Sequence, residues 1–225
     1  MSLPETRIFD DPDTLAPALA DALEAAAVVA IAARGAFHLV LAGGTTPRAL
    51  YHELARRGAG DVRWHVWYGD ERCLREDDPE RNSFMAETAW LAGSAIPLSQ
   101  RAPIPTEQGA EAAAACYASW LARVPDFDLV LLGVGEDGHT ASLFPGQNWR
   151  GADVLAVHHA PKPPPDRVSL SANRLSRSRN VWFVATGAGK HDALARWRRG
   201  MALPVSVIHG RLSTLRWLDQ AASGF

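Results

Sequence analysis

The stretch Asp128–Gly146, DLVLLGVGEDGHTASLFPG, decides how this chain is built. Its run Leu129–Leu132 is apolar at every position, so a strand made from it has no face for water and needs cover on both sides. Strands of that kind belong to parallel sheets. The run ends in Gly133-Val134-Gly135-Glu136-Asp137-Gly138, a literal G-x-G-x-x-G. A dinucleotide loop of that pattern runs straight into a long helix, with an acidic residue closing the next strand roughly 20 residues on. Here Pro145 interrupts seven residues after Gly138, and the next predicted strand, ADVLAVHHA, ends in His158-His159. The dinucleotide reading fails. What remains is a tight loop that brings Asp137 and His139 to the carboxyl end of a strand.

Outward from that point the chain alternates strand and helix. A helical pattern covers Leu15–Arg34, followed by a strand in FHLVLAGG and a helix in TPRALYHELARRG, with Thr45 or Thr46 as its cap and Pro47 in its first turn. VRWHVWYGDER predicts a strand running into a charged loop, and NSFMAETAWLAG and QGAEAAAACYASWLARV predict helices. After the central strand come ADVLAVHHA as a strand, PKPPPDRVSLS as a proline-rich connection, RNVWFVATG as a strand and KHDALARWRRG as a helix. LPVSVIHG and TLRWLDQAAS close the chain as strand and helix. The pattern predicts an α/β, Rossmann-like fold: a mostly parallel sheet with helices on both faces. No repeat or low-complexity linker divides residues 1–225, and the short Pro161–Pro165 segment is no convincing boundary, so a single domain is expected.

In an open parallel sheet, ligands bind beyond the carboxyl ends of the strands, and the unusual polar clusters follow that rule. Gly43-Gly44-Thr45-Thr46 opens a helix, where free backbone N–H groups and the helix dipole suit a phosphate; a well-capped junction would look the same. Asp70-Glu71-Arg72 follows the next strand, either as a local Asp70–Arg72 ion pair or as an arginine held by a carboxylate to grip an anion. Lys190 follows a glycine-rich loop, but Val184 and His191 stand where a nucleotide P-loop needs glycine and Ser or Thr. A lysine reaching an anion survives that rejection. Lys162 and Arg167 sit on the stiff proline loop. His139 suits proton transfer near neutral pH, with Asp137 shaping the loop or orienting its partner. No metal-ligand spacing surrounds it. No G-x-S-x-G elbow supports Ser142 as a nucleophile.

The bulk properties exclude other classes. A net charge of −2 with scattered basic residues gives no nucleic-acid or membrane surface. The two cysteines, Cys73 and Cys116, fit no metal or redox spacing and suit a reducing compartment. The N-terminus is polar and acidic, unlike a signal peptide, and the apolar run Ala25–Ala33 is about half a bilayer crossing. A cytoplasmic protein is expected.

LAGGTTPRALY, WYGDERCLREDDPERN, LVLLGVGEDGHTASLFPG, KPPPDRVSLS and FVATGAGKHDAL occur in the order and approximate spacing seen in 6-phosphogluconolactonases, a resemblance that covers about Phe37 to Lys190. It implies a Rossmann-like sheet, no metal or cofactor, and hydrolysis of 6-phospho-D-glucono-1,5-lactone to 6-phosphogluconate, the second step of the oxidative pentose phosphate pathway. It makes His139 the catalytic histidine and Asp70 and Arg72 cleft residues. Gly43, Gly44, Thr45, Thr46, Arg167 and Lys190 become phosphate or sugar contacts, with Asp137 beside them. The partner is then a phosphorylated sugar lactone, with no nucleic acid or membrane, and the protein is expected to be a monomer. Two positions depart from the pattern: AGGTT replaces the frequent SGGST, and Arg81 stands where a serine commonly precedes the asparagine.

Two alternatives remain. Glucosamine-6-phosphate deaminases resemble this family, but use a carboxylate five residues beyond the histidine, in a segment like DGHIAFNEPG, where this chain has Phe144. A non-catalytic sugar-phosphate sensor would explain the phosphate loop and Lys190. It would have no need of His139, and no helix-turn-helix pattern precedes the domain.

Overall fold

The computed structural model describes residues 4–224. In chain order its strands are β1 (Glu5–Phe9), β2 (Phe37–Leu41), β3 (Trp64–Tyr68), β4 (Asp70–Arg72), β5 (Arg101–Ala102), β6 (Phe127–Gly133), β7 (Val154–Val157), β8 (Arg167–Leu170), β9 (Ser178–Ala185) and β10 (Ser213–Asp219). Its helices are α1 (Pro12–Arg34), α2 (Thr45–Arg56), α3 (Asn82–Ala89), α4 (Ala110–Leu121), α5 (Ala172–Ser176), α6 (His191–Arg198) and α7 (Gln220–Ser223).

Seven strands form one sheet in the order β1-β10-β9-β6-β2-β3-β5, and every neighbouring pair in it is parallel. β6 lies at the centre, and Phe127–Leu132 are buried at every position, which accounts for the unbroken apolar run. After β2 the chain steps outward to β3 and β5. It then returns to place β6 on the other side of β2, so the strand order reverses between β2 and β6. That reversal opens a crevice at the carboxyl ends of β2 and β6.

A second, antiparallel sheet, β4-β8-β7, stands beside that crevice. β3 and β4 are separated only by Gly69, whose N–H donates to Leu41 O while its carbonyl accepts from Leu170 N. One residue thus links the two sheets.

α1 begins with a reciprocal capping box between Asp11 and Thr14, has Pro12 in its first turn, and stops at Gly35 in the left-handed region. Its Leu15, Leu19, Leu23, Ala27 and Ala30 enter the core. Near the carboxyl ends of β2 and β3, two tyrosines satisfy backbone groups that the sheet leaves unpaired. Tyr51 Oη donates to Ala42 O (2.8 Å) and accepts from Ala42 N (3.1 Å). Tyr117 Oη does the same for Tyr68 O (3.2 Å) and N (2.9 Å).

Several local expectations are corrected. β1 precedes α1, although its sequence ETRIF is polar. It is an edge strand with a mostly exposed side-chain pattern, so it carries no apolar signature. RVSL is a strand, β8, where a connection was expected. LPVSVIHG forms a single turn at Pro204–Val207 rather than a strand. TLRWLDQAAS is chiefly strand: β10 pairs with both β1 and β9, and only Gln220–Ser223 are helical. Leu215 and Leu218 have helical spacing, but the segment is inserted between two parallel neighbours and buries both its faces.

The tyrosine caps generate a prediction. Tyr117→Phe keeps the ring but leaves the Tyr68 N–H and C=O unpaired in a buried place. It should lower unfolding stability by about 1–3 kcal/mol, read from urea denaturation; an unchanged midpoint would remove this role.

Candidate active site

The crevice is a cleft of about 280 Å³, lined by glycines from the β2 and β6 loops together with Asp70, Arg72, Asn82, His139, Lys162, Arg167 and Lys190. Its backbone follows from local sequence. Gly133 ends β6 against Gly43, whose carbonyl would lie 3.7 Å from any added Cβ. At Gly135 a Cβ would come within 2.0 Å of His139 Nδ1, so the histidine ring rests on bare backbone. Gly138 has φ +89°, a value that L side chains rarely adopt. The loop closes through Gly135 N to His139 O (2.8 Å) and Thr140 Oγ1 to Gly133 O (2.7 Å). The G-x-G-x-x-G letters thus serve to seat a histidine.

Asp137 Oδ1 lies 2.5 Å from His139 Nδ1 and also accepts the His139 backbone N–H at 3.0 Å. That contact makes Nδ1 the protonated nitrogen and leaves the Nε2 lone pair without a protein partner among the described residues. Phe144 packs against the imidazole with ring centroids 4.7 Å apart, and the Arg167 guanidinium lies 5.6 Å from the Phe144 ring centroid. Burial pushes the His139 pKa below its usual range, and Asp137 only partly offsets that. Burial would raise the Asp137 carboxyl, but the backbone and ring hydrogen bonds of His139 outweigh it and hold Asp137 low. The pair is therefore neutral imidazole and carboxylate near neutral pH.

Asp70 is buried in β4. Ser142 Oγ donates to its Oδ2 at 2.6 Å, and Asn82 Nδ2 donates to its Oδ1 at 3.1 Å and to its backbone carbonyl at 2.9 Å. The Asp70–Arg72 pairing considered from sequence does not form: the Arg72 guanidinium donates instead to the Glu80 carbonyl, and Asp70 is held by Ser142 and Asn82. Glu71, fully buried, accepts the backbone N–H groups of Arg72, Asn82 and Ser83 at 2.7–2.9 Å, placing a carboxylate at the start of α3. Arg81 turns away from the cleft. Its Nε lies 3.5 Å from Glu71 Oε2, and its guanidinium donates to Ile104 O at 2.8 Å.

The remaining residues separate by what they touch. Gly43 and Gly44 line the cleft; Thr45 and Thr46 do not. The cap of α2 is Gly44 rather than either threonine, and no side chain covers its first-turn N–H groups. Thr46 Oγ1 pairs with Thr186 Oγ1 at 2.8 Å. Arg167 commits four of its five N–H donors within the protein, to the carbonyls of Lys162, Pro163 and Pro164 and to Ser142 Oγ. It braces the proline loop that carries Lys162 into the cleft. Sequence reasoning passed over Asn82, Ser142 as a support, and Glu71. Asn82 carried one usable signal, its place at the start of a helix after an acidic loop. Ser142 carried none, because its partner Asp70 is 72 residues away. Among the described residues no three His, Cys, Asp or Glu side chains are grouped as a metal would need.

A parallel sheet whose order reverses beneath a cleft lined by four cationic side chains defines an α/β protein suited to a small anionic ligand. Residues 10–217 match the family model of glucosamine-6-phosphate isomerases/6-phosphogluconolactonase, and the chain belongs to that family. It is 37% identical over 237 residues to the 6-phosphogluconolactonase of Mycobacterium leprae, covering 96% of each chain. It is 37% identical to the human 6-phosphogluconolactonase, covering 96% of this chain and 91% of the relative. The fold superposes on the 6-phosphogluconolactonase of Thermotoga maritima with a TM-score of 0.90 at 24% identity, over 96% of this chain and 100% of the other. A monomeric glucosamine-6-phosphate deaminase gives a TM-score of 0.85 at 19% identity, over 98% of this chain and 99% of the other, a likeness of fold.

The His139 environment makes a prediction that needs no substrate. In a pH titration followed by NMR, the His139 ring should titrate below the usual value near 6.5. In Asp137→Asn it should titrate lower still, because the carboxylate that favours the charged ring is gone. A titration that does not move in the variant would show that Asp137 exerts no electrostatic hold on the ring.

Proposed function

We propose that this chain hydrolyses 6-phospho-D-glucono-1,5-lactone to 6-phosphogluconate, with His139 as general base and then general acid. The observation that carries the mechanism is the 2.5 Å contact between Asp137 Oδ1 and His139 Nδ1 beside a cleft lined by Arg72, Lys162, Arg167 and Lys190. A lactone is a cyclic ester. Water adds to C1, and its proton passes to Nε2 of His139 while Asp137 steadies the resulting imidazolium through Nδ1. The tetrahedral intermediate carries its charge on the former carbonyl oxygen. Arg72 and the backbone N–H groups of the 133–138 loop are our candidates to stabilise it. Collapse of the intermediate breaks the C1–ring oxygen bond, and the imidazolium returns its proton to the departing oxygen.

The phosphate takes no part in bond breaking; its binding energy orients the lactone. Lys190, Lys162 and the uncapped start of α2 at Gly44 supply the positive end, with Gly43 allowing close approach and the Thr45 and Thr46 side chains outside the cleft. Arg167, whose donors are nearly all committed, contributes charge and support more than a direct grip. Asp70, tied to Ser142 and Asn82, suits a role in fixing the cleft wall and accepting a sugar hydroxyl. We read residues 1–225 as one functional domain, supported by a hydrophobic cluster that runs from Leu15 to Ala222, and place the reaction in the cytoplasm with no metal or cofactor.

The deaminase reading is disfavoured by Phe144. The position five residues beyond the histidine holds a fully buried phenyl ring packed on the imidazole, which moves no proton.

The test uses freshly generated 6-phosphogluconolactone, with acid release followed above spontaneous hydrolysis. Wild type should be fast, and His139→Ala slower by about 10²–10⁴ in kcat. A variant as fast as wild type would end the histidine mechanism while leaving the activity. Turnover of glucosamine 6-phosphate but not of the lactone would reverse the choice between family activities. The acid limb of the wild-type kcat/KM profile should fall below pH 6.5, since the histidine must be neutral to take a proton and its pKa is depressed by burial.

A further inference from the structure

Lys190 lines the cleft, and its ammonium makes no hydrogen bond or ion pair among the described residues. A charge on a flexible four-carbon stem cannot fix its own position, so its aim is set by the backbone that carries it. That backbone has little apolar anchorage. The single turn Ala188–Lys190 buries no side chain, and Ala188 and Gly189 are exposed. Gly187, which opens the turn, has φ +88°, where L side chains rarely sit. Polar contacts must hold this loop instead.

One carboxylate supplies most of them. Leu218 of β10 pairs with Ala185 of β9, so Asp219 stands level with Thr186 at the carboxyl edge of the sheet. Asp219 is 3% exposed and accepts the Gly187 N–H with both oxygens, each at 3.0 Å. Its Oδ1 also accepts the Ala222 N–H at 2.8 Å, which caps α7. Just beyond α7, Gly224 lies against His191, the first residue of α6, where an added Cβ would fall 1.8 Å from the ring. The α7 segment thus grips the chain on both sides of Lys190. Opposite it, Thr46 Oγ1 meets Thr186 Oγ1 at 2.8 Å and ties the same loop to the first turn of α2.

We propose that Asp219 is a positioning residue, which through Gly187 holds the loop that aims Lys190 at the substrate phosphate beside the open start of α2. Asp219 does not line the cleft and touches no substrate. The proposal rests on the lactonase reading above and adds to it the residue that keeps two separate anion-binding elements in register. Capping α7 would need only one side-chain oxygen. Here the second oxygen, and a second contact of the first, go to Gly187.

The test separates the cap from the hold. Asp219→Ser keeps a good cap for α7 but is too short to reach Gly187 as well. Amide hydrogen exchange of the full chain, read without substrate, should quicken about tenfold at residues 186–190 and stay as in wild type elsewhere. With 6-phosphogluconolactone, KM should rise about five- to tenfold and kcat stay within about twofold, the pattern of a lost binding contact. In a Lys190→Ala background the same substitution should raise KM no further, because the lysine it positions is gone. Should the serine variant fail to fold, Asp219→Asn replaces it. Its amide oxygen can keep the Ala222 cap while its NH2 faces the Gly187 N–H, donor against donor, and the same three results are expected. Unchanged exchange, an unchanged KM, a fall in kcat alone, or effects that multiply in the double variant would each overturn the proposal. A wild type that does not hydrolyse the lactone ends the reaction reading instead. Asp219 is then judged by exchange alone, where a quickened loop sustains its hold and an unchanged one overturns it.

Discussion

A parallel sheet has no hairpin at its carboxyl edge, so each strand that ends there leaves backbone groups to be satisfied by something else. In this protein that constraint organises the cleft. Tyr51 closes the chain just after β2, Tyr117 closes the last residue of β3, and Thr140 takes the terminal carbonyl of β6. Each closure lies within a residue or two of a loop that lines the cleft: Gly43-Gly44, Gly69-Asp70 and Gly133–Gly135. The groups that end the strands therefore also fix the height and direction at which the loops start.

The second organising fact is buried charge. Asp70 and Glu71 lie almost without solvent, and a carboxylate in such a place is tolerated only when fully hydrogen-bonded. The surrounding residues answer that need: Ser142 and Asn82 on Asp70, and the backbone N–H groups of residues 72, 82 and 83 with Arg81 on Glu71. Arg81 thereby gains an account. It stands where the resembling sequences carry serine, and here it compensates Glu71 and anchors the loop to Ile104 instead of reaching a ligand. Asn82 joins both systems, donating from its side chain to Asp70 and from its backbone to Glu71.

Phe144 shows how one position separates related chemistries on a shared fold. Its ring packs on His139 and also meets the Arg167 guanidinium. An apolar wall there favours a neutral imidazole that accepts a proton from water. A carboxylate in the same place would supply a second proton carrier and favour the charged ring. The distinction rests on the local environment, since both activities occupy closely superposable frames.

Read without any structure, the chain already shows the parallel sheet, through the unbroken apolar run of β6, and the seat of His139, through a glycine-rich loop that Pro145 and the His158-His159 strand end exclude as a dinucleotide site. These are short-range properties, set by side-chain period and by backbone positions that only glycine tolerates. Tertiary structure alone decided the fate of ETRIF and TLRWLD, which became strands because an edge and a gap in the sheet received them. It likewise decided the Ser142 partner of Asp70 and the Tyr117 closure of Tyr68, drawn from positions 72 and 49 residues away. The outward apolar face of α1 was visible as letters, but its exposure was not. A run of alanines and valines looks the same whether the fold buries it or leaves it facing water, and only the packing of Leu15, Leu19 and Leu23 fixes which side points out.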